Sequence, residues 1–392
     1  MTASSPPPSP SASVETGLEC LAGSGFAELK GHAVAVLTHP AAILPDAAHA
    51  VDALLQGGVD VRALLGPEHG FRGSAQAGFA EDETVDPATG IPVVDTYLAE
   101  VPDVAARLSE LHIDTVLIDL QHSGARFYTY ESSMYDAIRA AASAGAWVVV
   151  LDRPNPIGGQ AVDGPVLEPG YASFVGRAPV PIRHGMTMGE LARLFADLVA
   201  APEPEVVPMR GWRRAMLFPD TGLPWVAPSP NLPTPASALC YPGTCLFEGT
   251  DVSVGRGTTT PFELLGAPWI DASLARALRA LDLPGVAVRE AYFSPVANLH
   301  AETGCCGVQL HITDPFAFDA LRVALHMLTY IQRHWPEQLG FRAESFDLLA
   351  GTSRIREAVL AGAAADEIAG SWQAEAARFR RDRAPYLLYD LE

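Results

Sequence analysis

Residues 61–73 read Val-Arg-Ala-Leu-Leu-Gly-Pro-Glu-His-Gly-Phe-Arg-Gly, so a short apolar run is followed at once by a polar, glycine-rich loop. The apolar run predicts a buried strand that ends at the Gly-Pro step. Directly after that step come a carboxylate (Glu68), an imidazole (His69) and the guanidinium of Arg72. Strands of α/β sheets often end in such groups at an active site, but a single loop of this kind is better explained as an ordinary solvated turn.

The segments around this loop alternate between short apolar runs and amphipathic stretches. Strands are predicted at 32–37, 61–65, 91–94, 115–118 and 147–151, and helices at 46–56, 104–111, 132–144 and 189–200. The strands are mainly apolar in continuous rather than alternating runs, which is typical of a parallel sheet covered by helices on both faces. The sequence therefore predicts an α/β domain.

Each predicted strand ends in polar side chains. They are Thr38, His39, Glu68, His69, Asp95, Asp119, Gln121, Asp152, Arg153 and Asn155. The carboxyl ends of parallel strands lie along one edge of a sheet, so we expect these side chains to meet in one crevice. Neither G-x-G-x-x-G after the first strand nor G-x-x-x-x-G-K-[ST] occurs, which argues against a dinucleotide or P-loop site.

The second half of the chain is less regular. Residues 306–312 alternate with period two and predict a half-buried strand, while 316–334 and 353–360 predict amphipathic helices. We interpret the chain as a Ser/Pro-rich disordered tail (1–16), a larger α/β domain (17–225) and a smaller α+β domain (226–392). The Pro-rich crossover near 225 marks the boundary between the domains.

Composition excludes several classes of partner. The net charge is −20, Lys30 is the only lysine, and so neither nucleic acid nor an anionic membrane is an expected partner. Five cysteines, two of them adjacent, predict neither a disulfide framework nor a zinc site. No leader-like or membrane-spanning run is present, which predicts a soluble cytoplasmic protein; the oligomeric state is left open.

Paired carboxylates indicate glycosidic-bond hydrolysis. One carboxyl protonates the leaving oxygen, and the other attacks the anomeric carbon or activates water. Glu68 is the best acid candidate, because Pro67 and Phe71 could shield it from water and favour its protonated form. Candidates for the second group are Asp119, which could equally cap the next helix, and two residues expected across the domain gap, Glu248 and Asp251.

Other side chains admit further interpretations. His69, His122 and His184 could bind a metal with Asp119, although no H-x-H or H-E-x-x-H spacing supports this. Four arginines could hold a substrate carboxylate, although some of them will be structural. They are Arg72, Arg126, Arg153 and Arg256. In the segment 126–130, Phe127 and one tyrosine are expected in the core, which leaves the other ring to stack on a sugar.

Several segments together resemble the NamZ-like exo-β-N-acetylmuramidases of bacterial cell-wall recycling. They include 65–73, 124–130, 151–159, 164–166, 181–187, 220–225, 228–231, 241–244, 246–258, 261–263, 307–309 and 386–389. The resemblance implies a Rossmann-like doubly wound parallel sheet domain, a smaller α+β domain, and an active site in the cleft between them. It also implies removal of non-reducing-end N-acetylmuramic acid from muropeptides or disaccharides, with no cofactor and no metal.

The resemblance implies that Glu68 is the catalytic acid/base, and Asp119, at a neighbouring predicted strand end, is the candidate for its partner. The predicted substrate-binding residues are His69, Arg72, Gln121, Arg126, Tyr128, Arg153, Asn155, Asn231, Glu248 and Arg256. Relatives usually carry Gln-Asp where this chain has Gln121-His122, which leaves Asp119 to supply the second carboxylate. Two other hypotheses are a muramic-acid-binding protein that has lost hydrolysis and a metal-dependent hydrolase or deacetylase that uses His69, Asp119 and His122.

Overall fold

The computed structural model describes residues 13–73, 78 and 84–390. Its strands are β1 (Ala33–Thr38), β2 (Asp60–Gly66), β3 (Val93–Asp95), β4 (Thr115–Asp119), β5 (Trp147–Leu151), β6 (Asp163–Val166), β7 (Pro181–Arg183), β8 (Glu205–Val207), β9 (Leu264–Ala267), β10 (Val286–Phe293) and β11 (Cys305–Ile312). Its helices are α1 (Gly17–Gly23), α2 (Ala50–Gln56), α3 (Val101–Glu110), α4 (Thr129–Ala144), α5 (Met188–Leu198), α6 (Pro235–Thr244), α7 (Ser273–Ala280), α8 (Ala320–His334), α9 (Ala343–Ala350), α10 (Arg354–Leu360), α11 (Ala365–Gly370) and α12 (Gln373–Asp382).

A six-stranded sheet organises the first part of the chain. The strand order is β3-β2-β1-β4-β5-β8, and every neighbouring pair is parallel. Val36 in the central strand is level with Leu64 and Leu117, and all three are fully buried. Apolar clusters cover both faces of the sheet. The α/β prediction is therefore confirmed, and continuous apolar strands are its physical cause.

Strand order also locates the crevice. From β1 the chain proceeds to β2 and β3 on one side, and later to β4, β5 and β8 on the other. The order reverses between β1 and β4, whose last residues, Thr38 and Asp119, lie opposite each other. In open α/β sheets this reversal opens a crevice at the carboxyl ends of the strands.

The second part of the chain forms a smaller three-stranded antiparallel sheet with order β10-β11-β9, covered by helices. Along β11 the side chains vary between buried and accessible, as predicted for a half-buried strand. The two parts make direct contacts. Trp372 Nε1 donates to Asp163 at 2.7 Å, and Tyr389 near the C-terminus donates to Asp152 at 2.6 Å. The proposed boundary near 225 stays a prediction.

The amino-terminal segment also packs on the first part of the chain. Residues 1–12 of the predicted tail lie outside the described residues. Val14 is fully buried and donates its N–H to Thr221, while Thr16 caps α1. The packed structure thus begins ahead of Gly17. Across the described ranges, no helix is both long and apolar enough to cross a membrane.

Candidate active site

The loop after β2 carries Glu68. His69 and Gly70 both have positive φ, 73° and 77°, so the chain turns sharply beyond the strand. Glu68 is half-buried; its Oε2 lies 2.5 Å from Thr129 Oγ1, and its Oε1 accepts the N–H of Gly78 at 2.7 Å. An amide only donates, so a proton on this carboxyl group would sit on Oε2. There the Thr129 hydroxyl can donate to the carboxylate or accept from the acid, and the contact survives both protonation states.

Aromatic side chains surround this carboxyl group. Tyr128 and Tyr130, beside Thr129, both donate their hydroxyls to the carbonyl of Pro228, at 2.7 and 3.0 Å. Tyr130 is fully enclosed and Tyr128 is 5% exposed, so only Tyr128 retains accessible surface. Burial, followed by the charge of Glu68, raises the pKa of the nearby Tyr97 to about 12. Each of these three rings is therefore a neutral neighbour of Glu68.

Tyr241 of α6 links this group to the second domain. Its ring lies 6.3 Å from the ring of Tyr128 and 4.7 Å from that of Phe262, nearly perpendicular to both. Beside Tyr241, Arg256 pairs with Glu248 through Nε at 2.5 Å and Nη2 at 3.2 Å. Burial lowers the pKa of Arg256, but the charge and hydrogen bonds of Glu248, together with Tyr241 and Cys245, outweigh burial and raise the pKa above its usual value. The guanidinium therefore stays charged.

One nitrogen of Arg256 remains available. Its Nη1 is buried and has no hydrogen-bond partner among the residues the structure describes. The guanidinium lies 5.1 Å from the centre of the Phe262 ring, which holds its plane in a cation–π contact. A buried cationic donor without a partner is costly unless a ligand satisfies it. Glu68, Tyr128, Glu248 and Arg256 thus belong to one contiguous group that spans both domains.

Asp119 occupies a different part of the crevice. It is fully buried at the end of β4 and accepts hydrogen bonds from Nε and Nη2 of Arg153, the latter at 3.0 Å. Arg153 and Gln121 also line a cavity of about 160 Å³, whose other walls are largely apolar. Gln121 itself donates to the carbonyls of His122 and Pro154. Asp119 is therefore neutralised within the protein, and Arg153 is the member of the pair that faces a cavity.

Two other predicted binding residues make structural contacts. Arg126 is 1% exposed and donates to the carbonyls of Pro165, Val180 and Leu349 at 2.9, 2.9 and 3.0 Å. Burial lowers the pKa of Arg126 to about 9. Asn155 is fully buried and donates to the carbonyl of Met186 at 2.9 Å. These contacts support roles for both side chains in holding the backbone rather than a sugar.

The remaining predicted residues are spread around the crevice. Arg72 pairs with the buried Asp86 at 2.9 Å and lies over the Phe71 ring. His69 is buried and lies near His39, the residue that follows β1. Asn231 is half-buried in the Pro-rich crossover. None of these positions is tied to Glu68 by a described hydrogen bond.

His122 and His184 do come together, but around Glu131 rather than Asp119. Glu131 Oε1 lies 3.1 Å from His122 Nδ1 and 3.0 Å from His184 Nε2, and all three side chains are buried. These ligand-type atoms lie within 4.8 Å of one another. Asp119 instead pairs with Arg153. The grouping of His69, Asp119 and His122 that a metal-dependent hydrolase would require is therefore not what the described residues form.

Three residues of this region were missed in the sequence. Thr129 lies inside the 124–130 motif, but its contact with Glu68 joins positions that are far apart in the chain. Tyr241 lies in the segment 241–244 that resembles the family, but nothing in that segment indicated that its ring lies near the ring of Tyr128. Glu131 was detectable as an acidic residue in the first turn of a helix that becomes buried. A carboxylate there usually complements the helix dipole on the surface, so the pattern alone pointed to solvent.

Comparisons with known proteins cover nearly the whole chain. Residues 34–236 match the family described as "Exo-beta-N-acetylmuramidase NamZ, N-terminal", and residues 239–389 match "Exo-beta-N-acetylmuramidase NamZ, C-terminal". The peptidoglycan β-N-acetylmuramidase NamZ of Bacillus subtilis (strain 168) is 43% identical over 380 residues, 96% of this chain and 91% of that protein. Two DUF1343 family proteins of Bacteroides fragilis have similar crystal structures. The first has a TM-score of 0.90 at 33% identity and covers 97% of this chain and 100% of that one; the second has a TM-score of 0.77 at 32% identity, covering 97% and 99%.

Proposed function

This chain belongs to the exo-β-N-acetylmuramidase NamZ family and is a peptidoglycan β-N-acetylmuramidase, and we propose that Glu68 is its general acid/base. The observation that carries this proposal is the environment of the carboxyl group. Glu68 is half-buried, a backbone amide holds Oε1, and the Thr129 hydroxyl can serve either protonation state of Oε2. A group that gives up and regains one proton per turnover needs such a partner.

We propose that Arg256 binds the lactyl carboxylate, the group that distinguishes N-acetylmuramic acid from N-acetylglucosamine. Glu248 fixes the guanidinium through two nitrogens, and the buried Nη1 has no partner among the described residues. A substrate carboxylate would satisfy that donor, whereas a sugar without one would leave it unpaired. Tyr128 and Tyr241 supply the apolar surface between Arg256 and Glu68.

Asp119 acts in this scheme through Arg153. Its carboxylate is fully buried and held by two guanidinium nitrogens, so it orients Arg153 toward the adjacent cavity. The substrate is a muropeptide or disaccharide with N-acetylmuramic acid at its non-reducing end. Hydrolysis then proceeds by proton donation from Glu68 to the glycosidic oxygen as its bond to the anomeric carbon breaks. A water molecule adds its oxygen to the anomeric carbon, and the proton that it loses restores the Glu68 acid.

The test of Glu68 compares two substrates. Glu68→Gln keeps the side-chain shape, and we expect kcat on the N-acetylmuramyl-N-acetylglucosamine disaccharide to fall by about 100- to 10,000-fold. The loss should be smaller on a nitrophenyl N-acetylmuramide, because its leaving group departs without protonation. Equal activity of wild type and Glu68→Gln on the disaccharide would remove Glu68 from the mechanism.

The test of Arg256 uses a substrate pair that differs only in charge. For Arg256→Gln we expect kcat/KM on the nitrophenyl N-acetylmuramide to fall by about 10- to 100-fold, the range of one charge-assisted hydrogen bond. The same substrate with its lactyl carboxylate converted to an amide should be poor for wild type and little changed by the substitution. A similar loss of kcat/KM on both substrates would show that Arg256 does not bind the lactyl carboxylate.

A further inference from the structure

A buried hydrogen-bond network lies directly behind the candidate catalytic residues. Glu131 Oε1 lies between His122 Nδ1 and His184 Nε2, at 3.1 and 3.0 Å, and the two rings stack with centres 5.6 Å apart. The three residues come from different segments: the loop after β4, the first turn of α4, and the loop between β7 and α5. One carboxylate oxygen therefore joins three parts of the first domain.

The proton positions in this network follow from a backbone contact. The N–H of Met186 donates to His184 Nδ1 at 3.1 Å, so the proton of a neutral His184 is on Nε2 and is donated to Glu131. Burial, aided by the charge of Arg383, lowers the pKa of His184 to about 3. Burial also lowers the pKa of His122. Both imidazoles are therefore neutral. Burial raises the pKa of Glu131, and its contacts with His122 and the charge of Arg126 oppose this. As a carboxylate Glu131 can only accept, so its Oε1 accepts from both rings.

The same contacts argue against a metal ion at this position, although two histidines and a glutamate are a donor set that zinc uses. A metal on His184 Nε2 would require a proton on Nδ1, where the Met186 N–H already points. The charges of Arg126, Arg183 and Arg383 also act on His184. A divalent cation would add to the field of three arginines, which only Glu131 and Glu190 among the described residues oppose. Hydrogen bonds between these side chains, rather than a metal ion, therefore hold the network together.

The network supports the turn of α4 that contacts Glu68. Three consecutive side chains of this turn bind three different segments. Thr129 contacts Glu68, Tyr130 donates to the carbonyl of Pro228, and Glu131 accepts from both histidines. If Glu131 loses its partners, the turn can rotate, and the Thr129 hydroxyl moves away from the Glu68 carboxyl group. An error of about 1 Å in such a contact costs on the order of 100-fold in rate.

We propose that His122, Glu131 and His184 are positioning residues, which fix the first turn of α4 so that Thr129 holds the carboxyl group of Glu68 in its catalytic orientation. This inference rests on the proposed role of Glu68. It assigns a function to Glu131 and to the stacked histidines without requiring that they touch substrate. Their burial, at 3% exposure or less, excludes direct contact.

The experiment measures kcat and KM on the N-acetylmuramyl-N-acetylglucosamine disaccharide, whose leaving group needs the proton of Glu68, with concentrations corrected for the folded fraction. Glu131→Met removes the carboxylate oxygen that accepts from both histidines, and Thr129→Val removes the hydroxyl that contacts Glu68. Each variant should have a kcat lower by on the order of 100-fold and a KM changed by less than about threefold. Glu131→Gln keeps an oxygen that accepts from both histidines, and Thr129→Ser keeps the hydroxyl, so both should stay near wild type. Asp347→Asn, which weakens a partly buried pair with Arg356 in the second domain, controls for lost stability alone.

The double variant Thr129→Val/Glu131→Met decides the proposal. If Glu131 acts through Thr129, the double variant should be no slower than the slower single variant. Multiplied losses, or a kcat per folded molecule that Glu131→Met leaves unchanged, would overturn the positioning role. Stoichiometric zinc whose removal abolishes activity would overturn it as well. Loss of activity in Glu68→Gln, measured in parallel, separates failure of this inference from failure of the proposed function.

Discussion

The buried histidines make stability sensitive to mild acid, and His184 allows the effect to be calculated. Its pKa is lowered to about 3 by burial and by Arg383, with Arg126 and Arg183 adding to the effect and Glu190 opposing it. In the unfolded chain a histidine titrates near pH 6.5. Because the folded pKa is the lower one, the contribution to stability is complete above about pH 6.5 and is lost as the pH falls toward 3.

The size of the effect follows from linkage. Between pH 7 and pH 5 the unfolded chain binds a proton at His184, whereas the folded chain does not. This difference lowers the free energy of unfolding by about 2 kcal/mol for this single residue. For His184→Asn, the pH-dependent loss between pH 7 and pH 5 should therefore be about 2 kcal/mol smaller than in wild type.

The assay is urea-induced unfolding at pH 5, 6 and 7, with each protein compared with its own value at pH 7. Any absolute destabilisation by the substitution then cancels. The exposed His112, whose backbone has positive φ that asparagine tolerates, provides the matched control His112→Asn. If His184→Asn loses as much stability as wild type between pH 7 and pH 5, then His184 is not held neutral in the folded protein and the argument fails.

Three further substitutions test the packing around the crevice, each by thermal and urea unfolding. Gly124→Ala should lower the free energy of unfolding by about 1–3 kcal/mol, because φ is +82° and a Cβ would clash with Asn155 Oδ1. An unchanged melting temperature would contradict this. Arg153→Gln leaves Asp119 buried without its partner and should cost about 3–5 kcal/mol, which adding Asp119→Asn should partly restore; no recovery in the double variant would argue against the pair. Tyr389→Phe removes a hydrogen bond to the buried Asp152 and should cost about 1–3 kcal/mol; full stability would show that the C-terminal contact is dispensable.

Much of the architecture follows from local sequence patterns. The runs at 32–37 and 115–118 are almost wholly apolar and predict parallel strands, since a continuous apolar run is typical of a strand covered on both faces. Polar residues directly after such strands must lie at the carboxyl edge of the sheet. This geometry makes Glu68 and Asp119 candidates for catalytic residues from the sequence alone. It depends only on the order of residues along the chain.

Local sequence patterns did not determine which partner each polar side chain has in the folded protein. Arg126 and Arg256 are both arginines in glycine-containing segments, yet Arg126 donates to three backbone carbonyls, whereas Arg256 pairs with the carboxylate of Glu248. Which of these occurs depends on the segments that pack over the side chain, and those segments are distant in sequence. Leu349, for example, reaches Arg126 from the second domain.

The carboxylates Glu68, Asp119 and Glu131 show most clearly which features the local sequence determines and which depend on the tertiary structure. The sequence by itself determined that the segment 61–73 is a buried strand followed by an acidic loop, because hydrophobic periodicity and the Gly-Pro break act over a few residues. Only the tertiary structure decided that Thr129 holds Glu68, that Arg153 neutralises Asp119, and that His122 bonds to Glu131. A buried charge takes whatever partner the folded chain brings within about 3 Å, and that choice is not local in sequence.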